Sequence, residues 1–335
     1  MSSHPDVFLV GAGYIGLNVL DQLLDGGYPV TVLTRRAEQA SELEKRGVKT
    51  VSGTLSDTGL LTAQTAQHEI TINTASCDDL PSVEAILAGV RQRVASNKPV
   101  VYLHTSGSGA LEDGAAGMYK NEKIYSDTIP EDINSLPATL MHRHVDIPII
   151  QAQQEFGSKA KIAVMLPPLV YGINPAHKRH SIALPKLMRF ALKHGFAGYV
   201  GEGQNVWSLV HVKDLGRAYL KLLTYIKSSG PEVLLENPYF FAENGSEASM
   251  LEIAQHIAQA LSDAGKLQNP QWKSFTDADY ADIFGPFTER GFGCNSRCSS
   301  DRLRALGWKA TEKDIWQSLN EDEAAEFLQH LDLLS

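Results

Sequence analysis

Short apolar runs along the chain alternate with stretches in which apolar residues return every three or four positions. Val7-Phe8-Leu9-Val10 is the first run, and Leu20, Leu23 and Leu24 behind it fall on one face of a helix. Val30-Thr31-Val32-Leu33 reads as a second strand, with a helical stretch at 38–46, and further strands are predicted at 48–51, 70–73 and 100–104. A helix at 81–95 separates the last two and carries Pro81 in its first turn, where a missing N–H removes no hydrogen bond. A helix at 145–156 then leads into an apolar strand at 162–166. Strands separated by helices in this way build parallel βαβ units and a doubly wound sheet.

Beyond Pro167-Pro168 the rhythm changes. Helices are expected at 182–193 and 215–226, the latter with Asp214 as N-cap, and Ser249-Met250-Leu251-Glu252 reads as a capping box opening a helix at 251–261. The predicted fold class is α/β: a doubly wound parallel Rossmann sheet with a smaller, mainly C-terminal α/β substrate lobe. The sheet-bearing unit is expected at 1–172, with 207–245 returning to it, and the smaller lobe at 173–206 and 246–335.

Between the first strand and the first helix lies Gly11-Ala12-Gly13-Tyr14-Ile15-Gly16, a Gly-x-Gly-x-x-Gly turn. Gly11 permits the tight turn, Gly13 lets the backbone approach a pyrophosphate, and Gly16 lets the helix pack close to the strand. The helix N-terminus offers free N–H groups and a partial positive charge to an anion. In this architecture an acid ending the second strand would bond the 2′-hydroxyl of an adenosine ribose. This chain has Thr34-Arg35-Arg36 instead, and two guanidinium groups suit a 2′-phosphate. NADP(H) is therefore the expected cofactor, with NAD(H) as the alternative; a solvated pair of arginines is the plain counter-reading.

Composition narrows the function classes. The 335 residues, 43% apolar and 21% charged, are those of a water-soluble globular chain long enough for a substantial core. A net charge of −9 argues against nucleic acid and anionic membranes as partners. Cys77, Cys294 and Cys298 are too few for a disulfide scaffold and point to a reducing compartment. Cys294 and Cys298 lack a second ligand pair, so no metal site is expected. No apolar run approaches the ~20 residues that span a bilayer, and a cytoplasmic location is expected. A small-molecule substrate is the expected partner, with a homodimer left open.

Several landmarks in a shared order resemble the extended short-chain dehydrogenase/reductase family, in its epimerase/dehydratase-like group. They are the glycine turn, Val51-Ser52-Gly53-Thr54-Leu55-Ser56-Asp57, Val101-Tyr102-Leu103-His104-Thr105-Ser106-Gly107 and Leu166-Pro167-Pro168-Leu169-Val170-Tyr171-Gly172. Later come Trp207-Ser208-Leu209-Val210-His211-Val212-Lys213-Asp214-Leu215 and Ser300-Asp301-Arg302-Leu303-Arg304-Ala305-Leu306-Gly307-Trp308. The glycine motif is one residue shorter than the family's usual form. The resemblance implies that Leu55 and Asp57 lie near the adenine and Thr74, Ala75 and Ser76 near the cofactor ribose. It brings Pro167 and Val170 to the nicotinamide. A turn or helix cap is the plain alternative for Asp57, and a strand end for 73–76.

Catalysis in that family uses a Ser, a Tyr and a Lys four residues after the Tyr. Ser106 follows the fifth strand where the hydroxyl is expected, with Ser108 as the neighbouring choice. Tyr119 and Lys123 fit the spacing but come only 13 residues after Ser106. The family's pair sits on the helix feeding the sixth strand, and there this chain has His142 in the Tyr place and Asp146 in the Lys place. Three readings follow. His142 or His144 replaces the Tyr as general acid; a loop carries Tyr119 and Lys123 into the site; or the chain binds the dinucleotide without hydride chemistry. Arg143 reads as a solvated helix residue. Tyr171, Asn174, His177, Trp207 and His211 are the substrate-side candidates, with core packing the alternative for Trp207. The family's sugar-nucleotide members often place an Arg beside the Trp207 position. Val206-Trp207-Ser208 has none, which favours a more apolar carbonyl substrate. The leading expectation is an NADP(H)-dependent oxidoreductase acting on a carbonyl or alcohol. A non-catalytic NADP(H) sensor and a sugar-nucleotide epimerase or dehydratase are the alternatives.

Overall fold

The computed structural model describes residues 4–177 and 179–329. Its first half is an unbroken alternation: β1 (Val7–Val10), α1 (Tyr14–Asp25), β2 (Val30–Thr34), α2 (Ala37–Lys45), β3 (Lys49–Ser52), α3 (Thr58–Gln67), β4 (Ile70–Asn73), α4 (Leu80–Ala95) and β5 (Val101–Thr105). After the short β6 (Tyr125–Ser126) and α5 (Pro130–Asn134), α6 (Arg143–Phe156) feeds β7 (Lys161–Leu166). Then come β8 (Leu169–Tyr171), α7 (Ala183–His194), β9 (Ala197–Tyr199), β10 (Val206–His211) and α8 (Val212–Ser228). The short α9 (Glu232–Glu236), β11 (Tyr239–Phe241), β12 (Glu247–Ser249) and α10 (Met250–Asp263) follow.

Seven parallel strands form the main sheet in the order β11-β7-β5-β4-β1-β2-β3. β1 lies inside it between β4 and β2 with all four side chains fully buried, as expected of a strand covered on both faces. Leu20 and Leu23 of α1 join Leu215, Tyr219 and Leu222 of α8 on one face, and Val83, Ile86 and Val90 of α4 join Val145 and Ile149 of α6 on the other. The direction of strand progression reverses between β1 and β4, and that crevice at the strands' carboxyl ends is where open α/β sheets bind ligands. β12, β10 and β8 form a separate three-stranded sheet, and a third core gathers Leu187 and Phe190 of α7, Ile253 and Ile257 of α10, Phe275 and Phe292. The Ser249–Glu252 capping box is present as predicted. Among the described residues, no helix is long and apolar enough to cross a membrane.

Three local expectations need correction. Helix α3 was not anticipated, because Leu61 and Thr65 are its only buried side chains and no apolar stripe marks it; it is held instead by close packing on α4, where a Cβ on Gly89 would stand 2.6 Å from the Thr62 carbonyl oxygen. Asp214 does not cap α8. His211 does, accepting from the Lys213 N–H at 3.2 Å, while buried Asp214 accepts from the backbone N–H groups of Thr311 and Glu312. Arg143 is not solvated but 2% exposed and bonded to Tyr239.

Candidate functional site

The glycine turn is built as its spacing demands. Gly11 has φ +99°, and a Cβ there would lie 2.7 Å from the Ala75 Cα. At Gly16 a Cβ would meet the Gly11 carbonyl oxygen at 1.9 Å and the Thr74 hydroxyl at 2.6 Å. Thr74 locks the two strand ends together: its N–H donates to the Val10 carbonyl at 2.9 Å and its hydroxyl to the Gly11 carbonyl at 2.8 Å. Gly13 differs, since among the described residues beyond its chain neighbours nothing lies within 4 Å of its Cβ position. It is also the N-cap of α1, whose first turn holds no acidic side chain and receives no side-chain cap. Uncapped N–H groups therefore face a space that only glycine leaves open, a combination that fits a pyrophosphate.

That space is a cleft of about 520 Å³ over the β1–β4 crevice. Gly11, Gly13, Thr74 and Ala75 form its floor, and Thr34, Arg35, Arg36 and Leu55 form the wall at the expected adenosine end. Gln39 fastens this wall, donating to the Ala12 carbonyl at 2.8 Å and accepting from Thr34 at 3.0 Å and Arg36 at 3.3 Å. A third guanidinium, that of Arg179, lines the same cleft. Sequence reasoning missed it because it arrives from a loop far along the chain with no motif around it. Asp57 takes its plainer role: one carboxylate oxygen accepts from the Thr54 N–H at 2.7 Å and hydroxyl at 2.8 Å, and these bonds hold the carboxyl below its usual range. Ser76 likewise turns to its own loop, accepting from the Asp78 N–H at 3.2 Å.

On the other side of the glycine turn, Tyr14 and Ile15 line a second, almost wholly apolar pocket of about 250 Å³. Leu169 and Val170 of the expected nicotinamide turn share it with Trp207, Met250, Phe284 and Phe292. Tyr14 donates to the Gly172 carbonyl at 2.5 Å, tying the glycine turn to the end of β8. Pro167 anchors the neighbouring loop by accepting from the Ser108 N–H at 3.0 Å. Trp207 is both packed and pocket-lining, with its indole N–H on the Cys294 carbonyl at 2.8 Å.

Most other substrate-side candidates prove to be structural. Asn174 and His177 bind Asp21 on α1 at 3.1 and 2.6 Å. Tyr171 donates to the Lys313 carbonyl at 2.8 Å from a buried position. His211 is held close over Gly172 as the α8 cap, and burial pushes its pKa down to about 4.

Ser106, His142 and Asp146 meet at the start of α6. Ser106 is 4% exposed and donates to Asp146 Oδ2 at 3.0 Å. Burial raises the Asp146 carboxyl to about 6, against the opposing pull of Ser106, His142 and Arg143. His142 holds a left-handed backbone, φ +66°, rare for a residue with a Cβ and therefore a strained position maintained by its surroundings. Its ring packs over the Gly107–Gly109 turn with Nε2, 3.0 Å from the Cβ position of either glycine, while Nδ1 bonds Asp78 Oδ1 at 2.8 Å. Burial alone would drive the proton off this ring, but hydrogen bonds to Asp78 and Cys77 outweigh it and push the pKa up to about 10. His144 contacts the Asp78 carbonyl at 3.2 Å. Ser108 pairs with Ser296 at 2.6 Å.

Tyr119 and Lys123 are engaged elsewhere. Tyr119 is 47% exposed with its carbonyl on Asn295, and Lys123 pairs with Asp132 at 3.2 Å over the Tyr125 ring. Among the described residues, no hydrogen bond or ion pair joins either to Ser106 or His142. Cys294 and Cys298 are buried and free.

Residues 11–128 match a family described as NAD(P)H-binding. The chain is 29% identical over 326 residues to the oxidase ucsJ of an Acremonium species, covering 90% of this chain and 92% of that protein. It is 31% identical over 219 residues to the uncharacterised protein YLL056C of Saccharomyces cerevisiae, covering 62% of this chain and 67% of the other. Among solved structures, the UDP-glucose 4-epimerase of Thermotoga maritima with UDP-glucose superposes with a TM-score of 0.66 at 16% identity, over 97% of this chain and 99% of that one. The Thermus thermophilus UDP-glucose 4-epimerase complex with NAD gives 0.64 at 18% identity, over 96% and 99%. The chain thus belongs with YLL056C in one family, carries an NAD(P)H-binding domain at residues 11–128, and shares its overall fold with the UDP-glucose 4-epimerases.

Proposed function

We propose that the protein is an NADP(H)-dependent oxidoreductase acting on the carbonyl or alcohol group of a largely apolar small molecule. One observation carries this reading: the glycine turn is a wall shared by two compartments, a polar cleft on its Gly13 side and an apolar pocket on its Tyr14–Ile15 side. The first suits a dinucleotide and the second the hydrocarbon part of a substrate. The nicotinamide, when bound, supplies or accepts the hydride. Arg35, Arg36 and Arg179 bind the 2′-phosphate, the N-terminus of α1 holds the pyrophosphate, and Phe284 and Phe292 help exclude water around the substrate. His142, aligned through Nδ1 by Asp78, keeps its Nε2 proton for the substrate oxygen, the part usually played by a tyrosine.

Asp146 supports a second reading. Where the resemblance expects an ammonium group, the chain has a buried carboxyl turned to Ser106, so the site can also be read as binding NADP(H) without turning it over. His142→Gln separates the two. Under the catalytic reading, turnover of NADPH with an apolar aldehyde or ketone falls by roughly 10²–10⁴-fold while NADPH affinity is kept. Unchanged turnover would remove His142 from the mechanism, and no turnover in the native protein would favour the binding-only reading.

A further inference from the structure

We propose that Cys77, Asp78 and His142 form a binding site for a single borderline-soft divalent transition cation, with Zn²⁺ as the reference ion. One donor atom from each, the thiol sulfur, a carboxylate oxygen and an imidazole nitrogen, lie within 4.8 Å of one another. The thiol donates to Asp78 Oδ2 at 3.4 Å, and His142 Nδ1 is 2.8 Å from Asp78 Oδ1. Around tetrahedral zinc, with Zn–S near ~2.3 Å and Zn–N or Zn–O near ~2.0 Å, neighbouring donors stand roughly 3.3–3.5 Å apart. Closing on one ion would bring donors at most 4.8 Å apart to this spacing, widen the 2.8 Å Nδ1–Oδ1 pair and release the thiol and Nδ1 protons to solvent.

The donor chemistry selects the ion. Sulfur, nitrogen and oxygen together suit zinc and its transition-metal neighbours, whereas Ca²⁺ and Mg²⁺ take oxygen ligands. The surroundings fix the ligands' directions. Gly107 and Gly109 hold the far side of the His142 ring, and His144 contacts the carbonyl oxygen of Asp78 at 3.2 Å, the kind of outer contact that orients metal ligands. Three protein ligands leave a fourth position for water or a ligand oxygen, and the 52% exposed Asp78 side chain puts it within reach of solvent. Cys77 comes two residues after Ala75, which lines the dinucleotide cleft. The site uses His142 Nδ1 and leaves Nε2 as it is. The proposal stands on these donor positions alone; a bound ion would take over from the Asp78 hydrogen bond the orientation of the His142 ring.

The test is metal uptake by the tag-free full chain, stripped with a chelator and titrated with Zn²⁺ alone by calorimetry. Co²⁺ then serves as a spectroscopic probe of thiolate ligation. The expected result is one ion per chain and a thiolate-to-cobalt charge-transfer band. Cys77→Ser and Asp78→Asn should each weaken uptake by at least about tenfold, and Cys294→Ser should leave it unchanged. NADPH binding by Cys77→Ser, measured separately, confirms that the variant is folded. Absence of uptake, uptake undisturbed in Cys77→Ser, or a cobalt spectrum without the thiolate band would overturn the proposal.

Discussion

Ser106 directs its hydroxyl proton to Asp146 across 3.0 Å, joining the end of β5 to the first turn of α6. The other oxygen of that carboxyl, Oδ1, is buried and has no hydrogen-bond partner among the described residues. The contact aligns strand and helix where the site forms, and it puts a carboxyl where the family resemblance implies an ammonium group.

Removing the contact should be costly. Ser106→Ala strips a buried carboxyl of a hydrogen bond and is expected to destabilise the fold by about 1–3 kcal/mol in denaturant titration. Ser106→Thr, which keeps the hydroxyl, should recover most of that loss. Because the bond favours the ionised carboxyl, Asp146 should titrate above about 6 in the alanine variant.

The three motif glycines should separate folding from binding. Gly16→Ala forces a methyl group to 1.9 Å from the Gly11 carbonyl oxygen and should lower thermal stability sharply. Gly13→Ala places its methyl group in open space, so stability should stay within about 1 kcal/mol of the native protein. The same methyl group fills the dinucleotide cleft, and NADPH binding should be lost. Stability and binding that fall together in Gly13→Ala would show that the glycine serves the fold alone.

The cleft's arginines should act on one cofactor and not the other. Arg36→Ala and Arg179→Ala should each weaken NADPH by roughly tenfold, since a hydrogen bond to a charged group contributes about 1.5–3 kcal/mol, and leave NADH unchanged. Equal losses for both cofactors would place these side chains away from the 2′-phosphate.

How much of this was legible in the sequence follows from how local each signal is. β1, the glycine turn and α1 announce themselves within about 20 residues, because strand period, turn glycines and helix period act over short range. Arg35 and Arg36 were readable for the same reason. Helix α3 was not, since it is held by fit against Gly89 and offers no stripe of its own. Arg143 looked solvated because nothing near it in sequence reveals Tyr239, and Asn174 and His177 looked like substrate residues because Asp21 lies more than 150 positions away. Arg179 and the Cys77–His142 contact are likewise products of tertiary folding alone.

Glu323 gives the protein a pH-sensitive brace. Its carboxyl is 2% exposed, accepts from the Gly172 N–H and is pushed by burial up to about 7 from its usual 4.5. A carboxyl whose folded pKa is raised contributes its full stability below pH 4.5 and loses it as pH rises through about 7. Glu323→Gln keeps an accepting oxygen without the charge. Its stability relative to the native protein should therefore rise by roughly 3 kcal/mol between these limits and stay level above them. A difference that does not vary with pH would contradict the assignment.

The central claim is that one wall serves a reduced dinucleotide and an apolar carbonyl together, and its most direct test is NADPH binding and NADPH oxidation measured side by side against a panel of apolar aldehydes and ketones. The account predicts tighter binding of NADPH than NADH and oxidation by at least one member of the panel. Saturable NADPH binding with no oxidation across the whole panel would contradict it.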